Sequence, residues 1–546
     1  MYKRVLTVLL ALIMVVAVFA GCQSNATTEK TEQISVYVGS EPESIDPAFN
    51  EAVDGATLLI HAFEGLMSLD KDSKPILGQA EDYTVSDDGL TYTFTLRDDI
   101  KWSDGEPVTA DDFIYAWKRA IDPANATSYG YMFDVIEGAG DIYADVEGAS
   151  MEDFGAKALD EKTIEIKLIA PTPYFLELAA FPTYFPVRQD VVEANPDTWA
   201  TDPATYVSNG PYTLETWNHD ADMIYTKNEN YYNVDTLGPE KIRFVLMSDA
   251  NAVLAAFENN EILFADEMPN EEIDGYREKP EFHLEGQLGT YYLSFNTQKE
   301  PFDDANIRKA LSLAIDRNFI VEEIGKAGQQ PAAAFVPTGL TDADTTKEFR
   351  DIGGDYYSVD AADYEANVEE AKQLLADAGY PDGEGFPKFE YMYNPEAPGH
   401  ALIGEALQNM WKEQLGIDCT LVSQEWNVFL QTRQDGNYQL ARDGWLGDYN
   451  DPISFIDMFV STSGNNNSQW DNAEYDAIVK QIKSSSDSEE RYQLMHDAED
   501  ILMEEAPCAP IYYYVDIYLL NTTLEGFYSS PLGYKYFMYT SVAEAE

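Results

Sequence analysis

The sequence is poor in the residue types that most often carry chemistry. Of 546 residues, three are cysteine and five are histidine. Cys22 closes an N-terminal apolar run, and Cys419 and Cys508 are too few and too distant to form a disulfide framework. Cys419 falls in the apolar stretch IDCTLV and Cys508 sits among prolines, so both read as buried thiols. The histidines His61, His219, His283, His400 and His496 show no close pairing, and no metal-ligand spacing occurs. Asp70-x-Asp72 lacks the glycine and closing glutamate of a calcium loop. The phosphate-binding G-x-x-x-x-G-K-[ST], the dinucleotide G-x-G-x-x-G, H-E-x-x-H and G-x-S-x-G are all missing. These absences predict no metal and no cofactor, nominate no catalytic residue, and leave binding as the leading class ahead of an enzyme. Positive charge is also scarce: 34 Lys and Arg stand against 98 Asp and Glu, a net charge of −64. Such a field repels phosphate and excludes nucleic acid as a partner. Its plain use is a solvated acidic surface, and its sharper reading is adaptation to high salt, where screening relieves self-repulsion.

What is present is a folding chain, 45% hydrophobic and 13% aromatic, too long for one core and sized for two to four lobes. Lys3 and Arg4 precede the apolar run Val5–Phe19, which is short for a membrane span and fits a secretory signal. Ser24–Gln33 reads as a polar tether. From there strands and helices mix. Alternation predicts strands over Ile34–Gly39, Leu90–Leu96, Thr163–Leu168, Lys241–Met247, Tyr291–Asn296, Ile417–Val422 and around Tyr512–Tyr514. Thr109 with Asp112 forms a capping box ahead of a helix with Phe113, Trp117, Ala120 and Ile121 on one face. Further helices are predicted over Ala250–Phe257, through Ile307 and Leu311, through Val368 and Leu375, through Ile403 and Leu407, and over Glu489–Glu504. No low-complexity linker separates the two α/β series, so the chain is expected to cross between lobes by strands.

The stretch that organises the rest is Ala441–Pro452, ARDGWLGDYNDP. Glycine within a strand marks close backbone approach, and Gly444 and Gly447 flank Trp445 and Leu446 ahead of Asp448. A strand edge ending in a carboxylate could pair with the amides of an extended peptide and meet its α-ammonium. The competing reading is an ordinary strand closed by an Asp/Asn/Pro turn.

The stretch Asp87–Pro123, DDGLTYTFTLRDDIKWSDGEPVTADDFIYAWKRAIDP, resembles the extracytoplasmic solute-binding proteins of the peptide/nickel class, the receptors of ABC importers. The resemblance extends over Phe63-Glu64-Gly65-Leu66, Asn209-Gly210-Pro211-Tyr212, Ala310-Leu311, Asp316-Arg317 and Gln424-Glu425-Trp426, and is strongest to oligopeptide-binding lipoproteins. It implies a two-lobed α/β clamshell of mixed sheets with an extra domain inserted in the first lobe. The expected division is a signal peptide over 1–21, a lipidated tether over 22–33, lobe I over 34–63, 188–288 and 515–546, the inserted domain over 64–187, and lobe III over 289–514. The residues before Cys22 match the lipoprotein box, which implies acylation of Cys22 and anchoring to the cell membrane.

The resemblance also implies site roles. Asp448 would bind the α-amino group. Gly444, Trp445 and Leu446, with Glu51 and Val53, would pair with the peptide backbone. Trp426 would cover a side-chain pocket. Arg442 and His400 would meet the carboxyl end, with Arg433, Tyr514 and Tyr131 completing the site. Enteric relatives carry cysteines where this chain has Gly289 and Leu446, and a family glutamate is replaced by Ser294. The implied partners are short peptides and membrane permease subunits, for a monomer. The alternatives are a receptor of the same fold for a nickel chelate, a sugar or a signalling peptide, a surface peptidase, and an adhesin or chaperone-like surface protein.

Overall fold

The computed structural model describes residues 32–543, so the N-terminal apolar run and Cys22 lie outside the described residues. Among the described residues no helix is long and apolar enough to cross a membrane.

Three sheets organise the chain. The first takes its strands in the order Gln33–Gly39, Lys241–Leu246, Asp222–Lys227 and Tyr212–Asn218, with only the first pair parallel. The second is antiparallel, in the order Ala80–Val85, Thr91–Leu96, Thr163–Lys167 and Ala156–Asp160. It is therefore built from chain that lies between the first and second strands of the first sheet. Thr109 and Asp112 make the capping box, and the helix Ala110–Ile121 buries Phe113, Trp117, Ala120 and Ile121. Period 3.6 places these four residues on one side, and the box satisfies the first orphan amides.

The third sheet holds the strands that build the site. Its order is Phe264–Ala265, Cys508–Leu520, Phe282–Phe295, Leu440–Leu446, Phe389–Tyr393 and Cys419–Ser423, with Gln330–Pro331 also paired to Cys508–Leu520. We label Phe282–Phe295 β1, Leu440–Leu446 β2 and Cys508–Leu520 β3. β1 and β3 are long and antiparallel. The first half of β1 pairs Phe282 with Leu519 through Gly286 with Val515. After a shift in register, the second half pairs Thr290 with Tyr513 through Ser294 with Cys508. The early ends of the pair join a core with Val253 and Phe257, and the late ends join a separate core around Leu311, Trp411 and Leu440. The strand expected to begin at Tyr291 is thus the second half of a longer one. Cys419 and Cys508 are both buried free thiols, which burial pushes well above the ordinary range, Cys419 up to about 12.

Two further helices border the site region. Trp426–Gln434 (α1) buries only Phe429, Leu430 and Arg433. Ala473–Ser484 (α2) starts at Asn472, whose side chain accepts from the amides of Glu474 and Tyr475.

Candidate functional site

β2 has one paired edge and one open edge. On one side it pairs with β1 along its whole length, from Leu440 opposite Phe295 to Leu446 opposite Gly289. On the other, the strand Phe389–Tyr393 reaches only Leu440 and Ala441. Among the described residues no strand pairs with Arg442–Leu446 on that side, so its backbone groups face a cavity of about 350 Å³. Sheet edges of this kind accept an added strand.

Two glycines shape this edge. A Cβ on Gly444 would run into the Tyr514 hydroxyl, so only glycine lets that ring lie over the strand. A Cβ on Gly289 would meet the end of the Leu446 side chain, which folds across its cross-strand partner.

The cavity draws its walls from all parts of the chain. Glu51 precedes and Val53 opens the helix Val53–Ala62, Tyr129 and Phe181 come from the chain between the strands of the first sheet, and Tyr514 from β3. Glu51 is held by its neighbours: Gln434 Nε2 donates to Glu51 Oε1 at 2.7 Å and to Ser128 Oγ at 2.7 Å, and Ser128 Oγ donates to the same carboxylate. Trp426 opens α1 and lies near the Arg442 guanidinium, 5.4 Å from its ring centre. Arg442 donates through Nε to Asn394 Oδ1 at 2.6 Å. Among the described residues no carboxylate comes within ion-pair reach of it. Arg433 forms a buried ion pair with Asp443, and its Nε has no hydrogen-bond partner among the described residues.

Asp448 stands at the end of the open edge. It is 8% exposed. Its Oδ1 accepts from the Tyr129 hydroxyl at 3.3 Å, and its backbone N–H donates to Ser454 Oγ at 2.8 Å. Oδ2 is buried with no hydrogen-bond partner among the described residues. Burial holds the Asp448 carboxyl well above the usual range, and the nearby Asp457 adds to this against the Tyr129 hydrogen bond. A buried carboxylate oxygen without a donor is costly unless a cation reaches it.

Acids also gather at the Glu51 side. Burial, with Glu51 and Asp54 adding, pushes Glu43 up to about 7, and burial raises Asp54 to about 6. Among the described residues no group of His, Cys, Asp and Glu is arranged to hold a metal ion.

Ten of the twelve expected ligand residues line this one cavity: Asp448, Gly444, Trp445, Leu446, Glu51, Val53, Trp426, Arg442, Arg433 and Tyr514. Two do not. Tyr131 is 1% exposed and packs in the core beneath Tyr129, their ring centres 6.1 Å apart, so Tyr129 takes the place expected of it. The residues Gly130–Val135 form a tight 3-10 turn, and that turn decides which tyrosine of the YGY triplet faces the cavity. His400 is not among the lining residues, and its Nδ1 is 3.2 Å from the Tyr291 hydroxyl. Burial and the Arg442 charge push its imidazole well below the ordinary value. Sequence reasoning also passed over Asp54, Phe181, Gln287 and Tyr534, which line the cavity without any local motif.

Residues 74–467 match the family model of the bacterial extracellular solute-binding proteins, family 5. The chain is similar to the oligopeptide-binding protein OppA of Bacillus subtilis, 36% identical over 530 residues and covering 95% of each chain. It overlays the crystal structure of Haemophilus influenzae OppA in complex with RPPGFSPFR with a TM-score of 0.88 at 31% identity, covering 94% of this chain and 99% of that one. It also overlays the Escherichia coli murein tripeptide-binding protein MppA with a TM-score of 0.88 at 30% identity, over 94% of this chain and 99% of that one. Against the unliganded open form of MppA the score falls to 0.62 over 94% and 97% of the two chains, so the lobes here are not arranged as in that open form. By its length, its sheets and this agreement along nearly the whole chain, the protein is a two-lobed clamshell with an extra domain and belongs to the bacterial extracellular solute-binding proteins, family 5.

Proposed function

We propose that the protein captures short peptides with a free N-terminus and delivers them to an ABC permease, held at the cell surface by a lipid on Cys22. The observation that carries this reading is the partnerless, buried Oδ2 of Asp448 at the end of an unpaired strand edge. A peptide in extended form supplies amides and carbonyls to Arg442–Leu446, and its α-ammonium supplies the cation that Asp448 lacks. Arg442, with no carboxylate in ion-pair reach among the described residues, meets a carboxylate of the ligand in this reading. Relatives that carry peptides in their names, OppA and MppA among them, support the ligand class. No step in this reading is catalytic: the ligand is bound, enclosed and released.

Calorimetry with RPPGFSPFR and its N-acetylated form tests the reading. The free peptide is expected to bind and the acetylated one to lose most of its affinity. Asp448→Asn is expected to weaken the free peptide by roughly 2–5 kcal/mol, much of it from leaving the ammonium unpaired. Equal binding of both peptides to the native protein would reject the assignment.

A further inference from the structure

A second charged cluster lies behind Asp448 and takes no part in lining the cavity. At its centre is Lys483, the next-to-last residue of α2 and 8% exposed. Its Nζ is 3.2 Å from Asp457 Oδ2 and 3.4 Å from Asp134 Oδ2. Asp457 lies a few residues after Asp448, whereas Asp134 belongs to the turn Gly130–Val135 in the inserted part of the chain. The ammonium therefore bridges two parts of the molecule. The carboxylates it joins lie within about 7 Å of each other, where like charges in a buried setting repel. Each also has a second, buried oxygen without a hydrogen bond among the described residues. The turn that carries Asp134 begins directly after Tyr129, the residue that reaches Asp448. Whatever seats Asp134 on Lys483 also seats Tyr129 over the candidate ammonium site.

Other contacts cross the same seam, among them the Arg491 guanidinium 5.3 Å from the Tyr174 ring centre. Tyr174 stacks on Tyr449 at 4.6 Å, and the Asn450 N–H donates to Glu177 Oε2 at 2.8 Å. A Cβ on Gly464 would run into the Ser128 backbone. Lys483 is the cation on which two acids from opposite sides depend.

We infer that Lys483 is the latch that allows the inserted domain to shut over the peptide cavity, by neutralising Asp457 on one side of the seam and Asp134 on the other. It is a positioning residue and touches no ligand. For its readout the inference rests on the peptide-receptor reading. Asp448 and Tyr449 face Asp457, and Tyr143 and Tyr184 face Asp134. Asp451, near Asp457, is already held by both terminal nitrogens of Arg491 at 2.8 and 2.9 Å. Asp141 and Lys480 face Asp134 from outside, and Tyr131, Tyr174 and Tyr475 surround the triad as phenols that burial keeps neutral. Burial pushes the Asp457 carboxyl up to about 6 against the pull of Lys483, and shifts Asp134 in the same direction.

The experiment is calorimetry of RPPGFSPFR on the full chain, with its N-acetylated form as control. Lys483→Met leaves two facing carboxylates without a cation and is expected to weaken binding about tenfold or more near neutral pH. Asp134→Asn alone keeps the Lys483–Asp457 pair and is expected to cost about threefold or less. The double variant removes the repulsion and is expected to return to within about threefold of the native protein. The Lys483→Met deficit should shrink as pH falls through about 6, where Asp457 takes up a proton. A double variant as weak as Lys483→Met, or a Lys483→Met variant with native affinity, overturns the latch. If Lys483→Met does not fold, Asp134→Lys probes the same contact from the other side. Two facing ammonium groups should then weaken binding about tenfold, and native affinity would overturn the proposal. Failure of the native protein to distinguish the acetylated peptide would instead strike the parent reading, so the two failures remain separate.

Discussion

Asp443 and Asp448 stand five residues apart on one run of chain, and their surroundings are opposite. Both are buried, at 3% and 8% exposure. Asp443 is paired with Arg433, takes a donor from Asn467 Nδ2 at 3.2 Å, and accepts the Gly444 N–H at 2.8 Å. Asp448 has one long hydrogen bond on one oxygen and nothing on the other among the described residues. A charge that the fold already satisfies is part of the scaffold. A charge that the fold leaves open awaits something from outside.

The largest expected effect falls on the satisfied member. Asp443→Asn leaves the buried Arg433 guanidinium without its carboxylate and should lower stability by about 3–5 kcal/mol, read by urea unfolding. The same substitution at Asp448 removes a charge that burial opposes, so the ligand-free protein should be as stable as before or more so. If the two variants unfolded alike, the contrast between them would be lost.

A pH series sharpens the contrast further. Glu267 is pushed up to about 8, Glu43 to about 7, and Asp54, Asp266 and Asp457 to about 6, burial being the main cause in each. These acids hold protons in the folded state that the unfolded chain releases at its lower, ordinary values. The folded state binds more protons in that window, so stability should fall as pH rises from about 5 to about 8. Melting temperatures of the ligand-free protein across that range provide the check, and a rising profile would contradict the raised values that burial gives these carboxyls.

The smallest effect belongs to the surface. With a net charge of −64, added NaCl should raise the melting temperature by relieving repulsion among exposed acids. The buried Arg433–Asp443 pair is shielded from salt, so the Asp443→Asn deficit should stay constant as salt is added. A flat melting temperature would count against the high-salt reading.

Much of the scaffold could be read from local pattern. Thr109 and Asp112 form their box, and Val368, Ala371 and Leu375 are the buried side of the helix Tyr364–Asp377. Such elements declare themselves because their period and caps lie within a few residues. α1 and α2 are not among the predicted elements: α1 shows no clear apolar stripe and buries Arg433 beside Phe429, whereas α2 sets Tyr475, Val479 and Ile482 at helical spacing with the buried charge of Lys483 at its end. The site was legible as a stretch but not as a balance of charges. Nothing in ARDGWLGDYNDP says that Asp443 has a cation and Asp448 has none, because Arg433 comes from a helix and Tyr129 from more than 300 residues away in sequence. Tyr129 lines the cavity where Tyr131 was expected, a two-residue offset set by a turn that spacing alone does not reveal.

The paired run of β1 and β3 has a consequence for how the molecule can move and be divided. The same hydrogen-bonded ribbon serves both cores, so neither half owns a complete set of strands. Splitting the gene near residue 288 would cut β1 across its middle and part its first half from β3, and the fragments should not fold alone. Motion between the halves must bend a ribbon whose pairing persists on both sides of the register shift at Gly286–Thr290, which confines it to a narrow swing about that kink.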